Sequence, residues 1–103
     1  YDSGDNKRAI ADYSRAIELD PKDAAAYYSR GRAYYDSGNK IRAIADIDRA
    51  IELDPKHTEA YYMRGKAYGI SGNGKRAKAD FIAAARLGDK MAQDALTSLE
   101  IEW

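Results

Sequence analysis

No cysteine occurs among the 103 residues, which excludes disulfide stapling, thiolate metal centres and thiol catalysis. There is one histidine, His57, there are two prolines, and seventeen basic residues are balanced by seventeen acidic ones. The balance removes the long-range field that draws a protein onto nucleic acid or anionic lipid, so neither is expected as a partner. No apolar run approaches the roughly 20 residues that cross a bilayer, and no membrane association is expected. The segment YDSGDNKRA (1–9) has neither the basic start nor the apolar core of an export signal. Lack of cysteine leaves the compartment open, with the cytoplasm as the first reading and the periplasm as the second. The length suits one domain.

What the sequence has is repetition. Pro21 and Pro55 lie 34 residues apart in a nearly duplicated frame, AIADYSRAIELDPK (9–22) and AIADIDRAIELDPK (43–56). Self-similarity at such a period marks a solenoid, whose units cover their apolar faces by stacking on one another. Apolar residues recur at three- and four-residue steps through Ala9, Ile10, Tyr13, Ala16 and Ile17 and again through Ala43, Ile44, Ile47, Ala50 and Ile51, which is helical spacing. A second helical segment, AAAYYSRGRAYYDSG (24–38), returns as TEAYYMRGKAYGISG (58–72). The prolines end one helix type and open the other, because they lack an amide and hold φ near the first-turn value. The pattern predicts helices at 6–19, 24–37, 40–53, 58–71, 75–87 and 90–101, with no strands.

The 34-residue unit resembles the tetratricopeptide repeat: Tyr27, Gly31, Tyr34, Ala43, Ile47, Ala50 and Pro55 follow its signature, as do Tyr61, Gly65, Tyr68, Ala77, Phe81 and Ala84. The resemblance implies an all-α fold, a right-handed α-solenoid of antiparallel helix pairs. Its divisions would be half a repeat at 1–23, repeats at 24–57 and 58–88, and a capping helix at 89–103. Gly31 and Gly65 would remove side chains where paired helices cross, opposite Ala43 and Ala77, with Tyr27, Tyr34, Tyr61 and Tyr68 filling the space between units. Gly88-Asp89 replaces the proline turn, so the solenoid is expected to end there, capped by a stripe of Met91, Ala92, Ala95, Leu96 and Leu99. Aligning 1–9 with 35–43 places Tyr1 near the close of a first helix, so the chain reads as a fragment of a longer array.

Nothing in the sequence forms a reaction centre, and no metal or cofactor is expected. Gly69 to Lys75 spells GxxxxGK, yet Arg76 stands where a magnesium-binding Ser or Thr belongs and a helix precedes it, so it reads as a plain turn. His57 reads as a solvated loop residue. Asp2, Asp5, Asp36 and Asp46 read as turn formers and exposed helix charges, while Glu18/Lys22, Asp46/Arg49 and Glu52/Lys56 read as helix-surface pairs.

The resemblance implies a non-catalytic scaffold that binds a peptide segment of a partner protein in a concave groove lined by the first helix of each unit. The groove positions with most to offer are Tyr28, Arg32 and Tyr35 in one repeat and Tyr62, Met63, Lys66 and Ile70 in the next. Aromatic and basic groups together suit a peptide with apolar anchors and an acidic group. A subgroup that grips chaperone tails with lysines and asparagines is not matched, since Tyr28 and Arg32 stand in place of Lys and Asn. The alternative is self-association. Ala9, Tyr13 and Ala16 lack a covering helix, and Ile101 and Trp103 expose apolar surface at the other end, so copies could stack head to tail or exchange helices.

Overall fold

A computed structural model describes residues 3–103, and all their regular structure is helical. The order is α1 (Ser3–Leu19), α2 (Ala24–Asp36), α3 (Lys40–Leu53), α4 (Thr58–Ile70), α5 (Gly74–Arg86) and α6 (Lys90–Ser98). The helices fall into two compact units, residues 1–55 with α1 to α3 and residues 56–103 with α4 to α6.

Side chains cap the helix starts in one recurring way. Asp23, Asn39, Asn73 and Asp89 each accept the amide three residues on, from Ala26, Arg42, Arg76 and Ala92 in turn, at 3.2 Å. Each bond satisfies an amide that the first helical turn leaves without a partner. His57 belongs to this set. Its Nδ1 accepts the Ala60 amide at 3.3 Å and the residue is half-buried, which corrects the reading of a solvated loop residue.

Helix ends are as regular as the starts. At the end of α2 the Gly38 amide donates to the Tyr35 carbonyl at 3.0 Å and the Asn39 amide to the Tyr34 carbonyl at 2.9 Å. The pair of bonds requires a left-handed residue, and Gly38 supplies it at φ 88°. The same closure ends α6, where the Glu100 amide reaches Thr97 and the Ile101 amide reaches Leu96 at 2.9 Å. There the left-handed position falls to Glu100 at φ 57°.

In the first unit, α2 and α3 cross at Gly31. A Cβ there would lie 2.8 Å from Ile47 Cγ1 and 3.1 Å from the Ala43 carbonyl oxygen, so only glycine lets the helices approach this far. Ala43, Ile47 and Ala50 are consequently sealed from solvent. Full burial of an isoleucine side chain contributes roughly 1.5–3 kcal/mol. In the second unit Gly65 meets the Phe81 ring and Ala77 in the same fashion. Ala84, Ala85, Ala92 and Leu96 form a cluster between α5 and α6, with Tyr61, Tyr62, Phe81, Ile82 and Ile101 packed on it.

Expectations at the two ends of the chain also change. α1 begins at Ser3, and α6 ends at Ser98, because Glu100 turns left-handed and reverses the chain. That reversal folds Ile101 back onto the α5–α6 cluster, so it is half-buried against the core and not open apolar surface. The buried stripe of α6 narrows to Ala92 and Leu96, since Met91 and Leu99 are 63% and 67% exposed.

Candidate functional site

On α2, Tyr28 and Arg32 stand four residues apart, one helical turn along the same face. They line an open concavity of about 250 Å³ between α1 and α2, with Ala9, Tyr13 and Asn6 from α1 and Ser29, Ala33 and Asp36 from α2. The structure thus brings together residues that the sequence assigned to two different roles. Tyr35 is half-buried and lies outside this lining. Ala16 is half-buried on α1.

The second unit carries the equivalent pair. Lys66 Nζ sits 5.6 Å from the centre of the Tyr62 ring, a cation held against the electron-rich face. The ring also packs against Phe81, centroids 5.5 Å apart and tilted by 53°. Ile70 is 57% exposed and Trp103 44%. Met63 is 7% exposed, which corrects its placement on the open face: it packs inward and leaves almost nothing for a partner to touch.

Each unit also holds one ion pair between helices. Arg30 donates from Nε and Nη2 to the two carboxylate oxygens of Asp46, both at 2.7 Å, and from Nη1 to the Ser14 hydroxyl at 3.2 Å. Arg64 repeats the fork on Asp80 at 2.9 and 2.7 Å. Hydrogen bonding by Asp46 is the main reason that the Arg30 guanidinium is held above its ordinary pKa, against the opposing effect of burial. Asp46 is only 7% exposed, so it is neither a surface charge nor the partner of Arg49, which pairs with Glu52 at 2.9 Å. Both arginines also lie over tyrosines, Arg30 at 5.7 Å from Tyr27 and 6.0 Å from Tyr34, and Arg64 at 5.7 Å from Tyr61. Tyr68 lies under Arg76 at 5.6 Å. The tyrosines are half-buried and thus serve as platforms for guanidinium groups, a role the sequence reading missed.

The GxxxxGK segment is a helix–turn–helix connection. The Gly72 and Asn73 amides close α4 on the Gly69 and Tyr68 carbonyls, and the Asn73 side chain caps α5, so these groups are turned to internal bonds. Among the described residues no group of three or more His, Asp or Glu side chains could hold a metal ion, and no helix is long and apolar enough to cross a membrane. Asp2 lies outside the described residues, while Asp5 and Asp36 are exposed on α1 and α2.

Paired helices with repeated glycine crossings and a 34-residue period define an all-α helical-repeat solenoid. Family models described as TPR repeat and tetratricopeptide repeat match residues 1–38, 24–57 and 47–92. The TPR domain of Arabidopsis OM64 superposes with a TM-score of 0.88 at 30% identity, over 94% of this chain and 82% of that one. The second TPR domain of human RPAP3, in complex with the HSP70 peptide SGPTIEEVD, gives 0.84 at 32% identity over 96% and 84%. The first TPR of Spaghetti (RPAP3), bound to the HSP90 peptide SRMEEVD, gives 0.86 at 25% identity over 94% and 79%. No curated protein sequence matches. The chain belongs to the tetratricopeptide repeat family, whose domains are in general non-catalytic protein-interaction modules.

Proposed function

We propose that this chain is a non-catalytic scaffold that holds a peptide segment of a partner protein in the groove lined by the first helices of its repeats. The observation that carries the reading is an aromatic ring and a cation placed one helical turn apart in two successive repeats, in contact at Tyr62 and Lys66. Tyr28 and Arg32 on α2, and Tyr62 and Lys66 on α4, occupy equivalent positions of successive repeats. Each pair offers an apolar ring for an anchoring side chain and a positive charge for a carboxylate. Tyr35 and exposed Ile70 extend the apolar surface on each helix, while buried Met63 belongs to the packing of α4. The peptides bound by the RPAP3 domains, SRMEEVD and SGPTIEEVD, combine acidic with apolar residues, which supports this class of ligand.

The mechanism is pre-organisation. Tyr62 is braced by Phe81, and the helices are fixed by the Arg30–Asp46 and Arg64–Asp80 forks, so little side-chain freedom is lost when a peptide arrives. An array of acidic peptides with apolar anchors, the two chaperone peptides among them, tests the reading. Retention of a subset, lost when Arg32→Ala is combined with Lys66→Ala, is the expected outcome; indifference to the double substitution would reject the groove.

Self-association is the second reading, favoured by half-buried Ala9, Tyr13 and Ala16 at one end and by exposed Leu99 and Trp103 at the other. Ile101 contributes little to it, being engaged by its own core. Light scattering over a concentration series distinguishes the two, since a constant monomer mass removes the second.

A further inference from the structure

α2 carries three charged side chains, Arg30, Arg32 and Asp36, and the fold uses only the first. Arg30 is held by Asp46 on α3. Arg32 and Asp36 are exposed, and neither side chain has a hydrogen-bonding or ionic partner among the described residues. They stand four residues apart, the separation at which opposite charges on a helix can meet, and yet they are not joined to each other. Both line the concavity that Tyr28 also lines, so a ring, a cation and a carboxylate share one face of α2.

The helix itself gains nothing from Asp36. This residue ends α2, where the helix dipole presents its negative end, and no basic residue of the last turn offsets the charge. Nor does the repeat require a carboxylate there. The counterpart 34 residues on is Ile70, apolar and 57% exposed, while Tyr28 answers to Tyr62 and Arg32 to Lys66. The two repeats therefore agree in ring and cation and differ in the third member.

We propose that Asp36 is a specificity-determining residue of the groove, selecting a peptide that carries a basic side chain beside the acidic one that Arg32 takes. This selection rests on the groove reading and narrows its ligand class from acidic and apolar to acidic, apolar and basic, with the basic residue met on α2 and an apolar one met by Ile70 on α4. Arginine suits Asp36 better than lysine, because its planar fork matches a carboxylate. Asp36 also works by exclusion. A peptide with acidic residues alone brings like charge against it, and such a repulsive element separates partners as well as an attractive one does.

The test is an array of synthetic heptapeptides with two acidic residues and one apolar anchor, each made with Arg, Ala or Glu at one further position that is scanned along the peptide. The full chain, Asp36→Asn and Asp36→Lys are compared on it, and the affinities of retained peptides are measured by fluorescence anisotropy. For the best position, the full chain should bind the Arg version about threefold more tightly than the Ala version, as an exposed ion pair allows. D36N should bind the two versions equally, and D36K should prefer the Glu version. Neither substitution should lower the melting temperature, because each removes a carboxylate from the negative end of a helix, so a lost preference is not lost folding. Equal binding of the Arg and Ala versions by the full chain, or an Arg preference that survives in D36N, overturns the inference while leaving the groove in place. Retention of no peptide at all, or retention indifferent to Arg32→Ala with Lys66→Ala, rejects the groove and this inference with it.

Discussion

Arg30 on α2 and Asp46 on α3 lie sixteen residues apart in sequence and meet through two hydrogen bonds of 2.7 Å in a largely enclosed setting. Arg64 and Asp80 reproduce the contact in the second unit. A forked pair of this kind fixes one helix against the next in both position and rotation.

Removing one partner should therefore cost far more than removing a surface pair. Asp46→Ala is expected to lower stability by about 3 kcal/mol, because Arg30 would keep a partly buried charge without compensation. Arg49→Ala, which breaks the exposed pair with Glu52, should cost far less, because water already solvates both charges. Urea unfolding followed by circular dichroism checks both, and equal effects would contradict the distinction.

The glycine crossings should be unequal. Gly31→Ala places a methyl 2.8 Å from Ile47 Cγ1 in a fully sealed spot and should destabilise by about 1–3 kcal/mol. Gly65→Ala meets the Phe81 ring at 3.0 Å and the Ala77 carbonyl oxygen at 3.3 Å, both wider than the 2.8 and 3.1 Å contacts at Gly31, and should cost less. Thermal melts of the two variants side by side give the order.

His57 does the work that Asp23 and Asp89 do in the same position of other helices. A carboxylate accepts the amide and suits the positive end of the helix, so His57→Asp should stabilise by roughly 0.5–1 kcal/mol. A lower melting temperature for this variant would contradict the capping role.

Glu100 takes a left-handed conformation that α2 assigns to Gly38. Glu100→Gly should relieve about 1 kcal/mol of backbone strain, while Gly38→Ala should introduce about as much, there being no contact within 4 Å to offset it. Opposite shifts in melting temperature are the expected result.

These residues also show where a sequence is readable. Both prolines act through the local backbone and were visible from the 34-residue frame, while the glycine crossings were implied by the resemblance to the tetratricopeptide repeat. The Arg30–Asp46 fork was not, because it joins different helices at sixteen residues while Arg49, three residues from Asp46, offered a local partner that the burial of Asp46 rules out. His57 was missed because histidine rarely caps a helix, and only its place in the 34-residue frame, opposite Asp23, gave a clue. Met63 and Ile101 were assigned to open surface from position alone. Their burial depends on how the chain packs around them, Ile101 through a reversal at a non-glycine residue that sequence patterns do not mark. Of the proposed groove, the tyrosine–cation pairs were legible as a repeated four-residue spacing, whereas the bracing of Tyr62 by Phe81 required the fold.

The most direct test of the scaffold reading is chemical-shift mapping of the full chain with a peptide retained on the acidic array. The account predicts that amide shifts concentrate on α2 and α4 around Tyr28, Arg32, Tyr62 and Lys66, and that they vanish in the Arg32→Ala, Lys66→Ala double variant with its melting temperature intact. Shifts confined to the outer faces of α3 and α5, or unchanged in the double variant, would contradict it.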